Sequence, residues 1–129
     1  MKKQIVSLVL IIVSLFGLLY VVYTLNPKPK AEVLAAKFDK TALIYFYGNT
    51  CSHCKELTDW IKANKIEDKV KLEKKEVYQN QDNSQMLQQA AEICQLDTTR
   101  IGVPFIYDSG KCYQGTPDAE AILKKKAKI

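Results

Sequence analysis

The feature that most constrains this chain is an unbroken apolar run, Ile5 to Leu25, which holds no charge and no Pro, Asn or Gln over 21 positions. As a helix it is roughly 31 Å long, the thickness of a hydrocarbon core of about 30 Å. A helix apolar on every side does not suit a soluble domain inside a chain of 129 residues, because one of its faces would meet water. Residues 1–26 are therefore expected to be a transmembrane signal-anchor. A cleaved signal peptide is the competing reading. It calls for a shorter apolar stretch and a small-x-small cleavage site, whereas this run ends in the bulky Val22-Tyr23-Thr24-Leu25. Lys2 and Lys3, with the amino terminus, favour a cytoplasmic start. Everything after residue 26 is then expected on the extracytoplasmic side of a prokaryotic cell membrane crossed once.

Pro27 and Pro29 alternate with lysines, so residues 27–30 read as an extended spacer. Residues 31–129 remain for one domain. From residue 27 onward there are seventeen basic and fourteen acidic side chains. Lys124, Lys125, Lys126 and Lys128 account for the excess. Their ordinary place is the last turn of a helix, where they complement its dipole; contact with anionic lipid headgroups is the alternative. Nothing points to nucleic acid, since neither interleaved aromatic and basic residues nor zinc-finger spacing occurs.

The order of elements follows from apolar spacing. Val33, Leu34, Lys37 and Phe38 allow a short helix over 31–38. Ala42 to Tyr47 is a continuous apolar run of strand length, as expected of a strand buried on both faces. Cys54, Leu57, Trp60 and Ile61 then recur at helical spacing from Cys51 to about Ile66. Val70, Leu72 and the stretch to Val77 and Tyr78 predict a second strand. Residues 83–96 predict a helix with Met86, Leu87, Ala90, Ile93 and Cys94 on one side. Pro104 to Tyr107 and Lys111 to Gln114 are two more strands around a turn at Asp108-Ser109-Gly110. Thr116-Pro117-Asp118 opens a final helix, with Thr116 expected as N-cap. Such alternation predicts an α/β domain, a central mixed four-stranded sheet with helices on both faces. The last two strands must be antiparallel, their link being too short to cross over.

One cluster on this frame carries chemistry. Cys51-Ser52-His53-Cys54 falls where the first strand hands over to the first helix of the domain. A cysteine at a helix N-terminus has unpaired N–H groups and the helix dipole to stabilise its thiolate. The two-residue spacing brings the sulfurs within one turn, close enough for a disulfide that an incoming thiolate can reopen. His53, when protonated, is expected to lower the Cys51 pKa further, and Lys55 adds a positive charge. Competing uses of the cysteines are less well supported. Zinc calls for a second Cys-x-x-Cys pair, but Cys94 and Cys112 stand singly. Covalent haem calls for His at position 55, which is Lys. A purely structural Cys51–Cys54 bridge would staple a single turn.

Tyr45 to Lys55, with Val103-Pro104-Phe105-Ile106 and Ser109-Gly110-Lys111 far along the chain, resembles the active-site strand and the cis-proline strand and hairpin of the thioredoxin-like superfamily. The resemblance covers about residues 31–127. The Cys-x-His-Cys motif is similar to that of DsbA-type oxidants, although Ser52 stands where they carry proline and there is no room for their helical insertion. The short core and Tyr113 to Asp118 resemble glutaredoxins, of whose glutathione-holding residues only Gly115 and Asp118 are matched. Tyr45 occupies the place where many thioredoxins carry an acid. The resemblance implies a protein-disulfide oxidoreductase in which Cys51 forms the mixed disulfide and Cys54 resolves it. Val103 and Pro104 would line the groove for the partner. It further implies cysteine-containing proteins as substrates, a membrane protein that recharges the dithiol, and no metal or organic cofactor. A redox-inactive or metal-handling adaptor on the same scaffold is the alternative function.

Cys94 and Cys112 complete the cysteine count. An even number of cysteines in an exported domain allows a structural disulfide between them. Against that pairing, the end of the second helix is expected near the active-site rim, with Cys112 at the far edge beyond the hairpin.

Overall fold

A computed structural model of the chain describes residues 2–25 and 38–129, which form two separate bodies. The expected spacer at 27–30 and the expected short helix at 31–38, save Phe38, lie outside the described residues.

The first body is one helix, α1, Lys2–Leu25. Its segment Gln4–Leu25 has a mean hydropathy of 2.9 and none of it is buried, so it is long and apolar enough to cross a membrane. Two of its hydroxyls are satisfied locally. Ser14 Oγ donates to the Ile11 carbonyl at 2.9 Å and Thr24 Oγ1 to that of Val21 at 3.0 Å, as a lipid environment requires of polar groups.

The second body is built on β1 (Leu43–Tyr47), α2 (Ser52–Ala63), β2 (Leu72–Glu76), α3 (Gln81–Ile93), β3 (Phe105–Asp108), β4 (Lys111–Gln114) and α4 (Thr116–Ala127). The sheet order is β2-β1-β3-β4. β1 runs parallel to β2, with Leu43 opposite Leu72, and antiparallel to β3, with Leu43 opposite Asp108. β3 and β4 form the tight hairpin. Its turn places Ser109 and Gly110 at φ 48° and 89°, the two positive values that a two-residue hairpin matched to strand twist requires.

β1 is central, which explains its unbroken apolar run. Leu43 and Tyr45 face a core with Leu57, Ile61 and Ile66 from the α2 side, and Ala119, Ile122 and Leu123 from α4. Ile44 and Phe46 face the opposite core, with Leu87, Ala90 and Ala91 of α3 and with Phe105 and Tyr107 of β3. The architecture is thus the mixed four-stranded sheet with helices on both faces that the sequence predicts. β2 (LEKKE) is at an edge, and its charged residues suit a strand that must not recruit another chain.

Four local expectations are corrected. α2 ends at Ala63 rather than Ile66. Asn64 caps it and Lys65 adopts φ 51°, so that a 3₁₀ turn, Ile66–Asp68, drops Ile66 into the core. α3 begins earlier, at Gln81, because the Asn80 side chain accepts from the Asn83 N–H and caps it; Ile93, expected on its buried side, is 37% exposed. The N-cap of α4 is Gly115 at φ 87°, not Thr116, which becomes the first helical residue. Finally, α3 follows the parallel strand β2 and runs back, so its end returns to the hairpin end of the sheet. Cys94, its C-cap, is disulfide-bonded to Cys112 with a Cα separation of 6.0 Å. The pairing is one that the even cysteine count allows, and the objection to it, a wide separation, took the wrong end of α3.

Candidate functional site

The site begins with the turn after β1. The Cys51 N–H donates to the Gly48 carbonyl at 3.2 Å, and the Cys51 carbonyl accepts from the Lys55 N–H at 3.0 Å, which starts α2. Cys51 itself is the N-cap, with extended backbone (φ −86°, ψ 115°). Its sulfur does what a serine or aspartate oxygen does elsewhere: Sγ accepts from the Cys54 N–H at 3.1 Å. Cys51 and Cys54 are joined in a disulfide with a Cα separation of 5.2 Å. Their exposures differ, Cys51 being half-buried and Cys54 buried at 1% exposed. An incoming thiolate therefore meets Cys51 first.

Val103 and Pro104 arrive from the other end of the domain's sequence. The Val103–Pro104 peptide is cis, and the Val103 carbonyl oxygen lies 3.6 Å from Cys51 Sγ. Pro104 is buried, and its carbonyl accepts from the Gly115 N–H at 2.9 Å, tying the segment to the start of α4. Between His53 and the Val103–Pro104 segment runs a hollow of about 440 Å³, lined also by Gln114, Gly115 and Thr116. On the far side of Val103 lies a second hollow of about 310 Å³, with Tyr78, Leu87 and Ile101 in its walls. Asp118 lines neither. It borders a separate depression with Tyr113 and Lys125, so Gly115 and Asp118 are not brought together at one hollow.

The charges around the pair are more balanced than the sequence implies. His53 is exposed, with Nδ1 3.2 Å from Glu56 Oε2. Lys55 donates to Asp59 Oδ2 at 2.9 Å, one turn further along α2. That hydrogen bond raises the Lys55 pKa and lowers that of Asp59. Lys55 is paired with its own carboxylate and His53 faces Glu56, which leaves the helix N-terminus as the main electrostatic influence on Cys51.

Tyr45, below the pair, is fully buried. Its hydroxyl donates to the Cys54 carbonyl at 2.9 Å and lies 3.3 Å from Thr58 Oγ1. Burial pushes its pKa up to about 12, the Thr58 hydrogen bond partly opposing. A neutral hydroxyl thus sits beneath the pair and holds the backbone at Cys54.

Sequence reasoning passed over Glu76 and Tyr78. The Glu76 carboxylate accepts the N–H groups of Tyr78 at 2.8 Å, Gln79 at 2.9 Å and Asn49 at 3.4 Å. Desolvation works against the charged form, but these backbone donors outweigh it and its pKa is lowered. Glu76 thereby joins the β2–α3 loop to the turn that presents Cys51. The Tyr78 ring lies on Gly48 so closely that a Cβ there would run into it. Neither role has a signal in spacing or composition, because both depend on which loops meet above the sheet.

Among the described residues no three His, Cys, Asp or Glu side chains converge as a metal-ligand set.

The chain matches no protein-family model, and it matches no curated protein. Among solved structures, a buckwheat glutaredoxin, determined as its complex with glutathione, is similar at 18% identity and a TM-score of 0.49, over 79% of this chain and 90% of that one.

Proposed function

We propose that this chain is a membrane-held protein-disulfide oxidoreductase of the thioredoxin-like kind, acting on protein cysteines on the extracytoplasmic side. The observation that carries this reading is the Cys51–Cys54 disulfide at the N-terminus of α2, with its outer sulfur half-exposed and set against the Val103–Pro104 segment.

In the oxidising direction, a partner thiolate attacks Cys51 Sγ and forms a mixed disulfide. The Cys51–Cys54 bond breaks, and Cys54 leaves as a thiolate that takes up a proton. A second partner thiol, deprotonated, attacks the partner sulfur. Cys51 departs as a thiolate stabilised by the Cys54 N–H and the α2 N-terminus. The partner has lost two electrons and the dithiol has gained them. Recharging transfers those electrons to a membrane redox partner. The reducing direction runs through the same mixed disulfide. An extended partner segment would lie along Val103 and Pro104, with side chains beside its cysteine in the two flanking hollows.

α1 supports the membrane part of this reading. The full chain should catalyse dithiol oxidation of a reduced protein, or insulin reduction. Cys54→Ala should accumulate a partner disulfide-bonded through Cys51, visible by non-reducing electrophoresis. Wild-type protein without activity in both assays would overturn the reading in favour of a non-catalytic or metal-handling adaptor.

A further inference from the structure

The end of the domain opposite Cys51 gathers lysines from four separate stretches of sequence. Lys40 precedes β1, and its carbonyl accepts from the Tyr107 hydroxyl at 3.0 Å. Lys71 precedes β2 and lines a hollow of about 460 Å³ with Thr41, Asp108, Ser109 and Lys126. Lys111 opens β4 opposite Asp108. Lys125, Lys126 and Lys128 close α4, which runs from the cis-proline end of the sheet to this one. All six are exposed.

Three carboxylates near these lysines have partners of their own. Asp108 is 8% exposed and paired with Lys126 at 2.8 Å. Asp39 accepts from the Thr41 N–H and hydroxyl at 2.8 and 2.7 Å. Glu73 lies 3.5 Å from Lys75. Among the described residues Lys40, Lys71, Lys111, Lys125 and Lys128 form no direct ion pair, although Lys71 is near enough to Asp39 to help lower its pKa, and Ile129 adds an apolar side chain 51% exposed.

We infer that this lysine end docks on a bilayer surface rich in anionic headgroups. Helix dipole complementarity accounts for the α4 lysines alone and leaves Lys40, Lys71 and Lys111 unexplained. The choice of a lipid partner follows from chain length. The domain begins at this same end, and residues 26–37 span at most about 43 Å even when fully extended. This end of the domain therefore remains within reach of any bilayer that α1 crosses. Basic clusters next to a membrane helix are attracted to anionic leaflets, and the attraction fades beyond a Debye length.

The inference rests on the proposed membrane span, and the experiment separates the two. Full-length protein is reconstituted into nanodiscs of phosphatidylcholine alone or with phosphatidylglycerol, and incorporation is scored by gel filtration. Lysines are then labelled with an amine-reactive ester and read by mass spectrometry. Labelling at Lys71, Lys111, Lys125 and Lys128 should fall several-fold in the anionic discs only. It should recover when salt shortens the Debye length to about 3 Å, while Lys55, beside the dithiol, stays unchanged throughout. Lys125→Glu with Lys128→Glu, both on exposed positions, should abolish protection of Lys71 and Lys111. Chain that enters the discs but labels equally in both lipids overturns the docking surface. The same holds for chain protected only on adding an oligonucleotide, which would mark a nucleic-acid surface. Chain that never enters the discs overturns the membrane span and this inference with it.

Discussion

Cys51 and Cys54 share a bond but not an environment, and the proposed division of tasks rests on that difference. Cys51 is half-buried and accepts a backbone N–H, whereas Cys54 is sealed beneath it. In the reduced protein the Cys51 thiol should titrate well below the unperturbed value of about 8.5, because the N–H and the helix dipole favour its thiolate. Ultraviolet thiolate absorbance against pH, compared with Cys51→Ser, checks this. Cys51 should also be alkylated first, and faster labelling of Cys54 would reverse the roles. Tyr45 gives a second expectation. Its folded-state pKa is raised to about 12 by burial, so the folded protein keeps the phenol proton where the unfolded chain, with a pKa of about 10, loses it. The stability tied to this neutral hydroxyl is complete below about pH 10 and is lost as pH rises through 12. Tyr45→Phe should cost about 1 kcal/mol at neutral pH through the lost bond to the Cys54 carbonyl, and its stability should fall less steeply with alkaline pH. Denaturant midpoints across pH measure both.

Among the elements, α3 and β4 are joined by Cys94–Cys112. With a sequence separation of 18, the bridge should contribute about 3 kcal/mol in the chain-entropy model, a large share for a domain whose total is about 5–15 kcal/mol. Replacing both cysteines by serine should lower the denaturation midpoint correspondingly while leaving oxidoreductase turnover intact, since the pair lies toward the hairpin end of the sheet, away from Cys51. Lost turnover in a folded variant would contradict that separation. The strands and helices themselves are legible in the sequence, because β1, α2 and β3 bury apolar residues at periods that spacing reveals. Element ends are less so. Lys65, Gln95 and Lys128 take positive φ without being glycine, which composition does not announce. The direction of α3 is legible in principle, since a helix after a parallel strand must run back. The two cysteine pairs thus differ in how they can be read: Cys51 and Cys54 are local and follow from one turn of helix, whereas Cys94 and Cys112 require the assembled sheet. Glu76 and Tyr78 belong to the second kind.

At the scale of the whole molecule, α1 should resist alkaline extraction from membranes, and protease added to spheroplasts should digest residues 38–129. Release into the soluble fraction as a shortened form would favour a cleaved signal peptide, and protection from protease would reverse the orientation. Within the domain the two disulfides lie toward opposite ends of the sheet. Cys112 is level with Ile44, through Tyr107, and β1 continues for three more residues, about 10 Å, before the turn to Cys51. Sulfur pairs so far apart cannot exchange partners without unfolding. A four-cysteine protein whose bridges communicated would store four electrons and could trap itself in scrambled isomers. Here the second bridge is set apart from the first, so in the proposed cycle the molecule would carry two electrons and return to one covalent form each time.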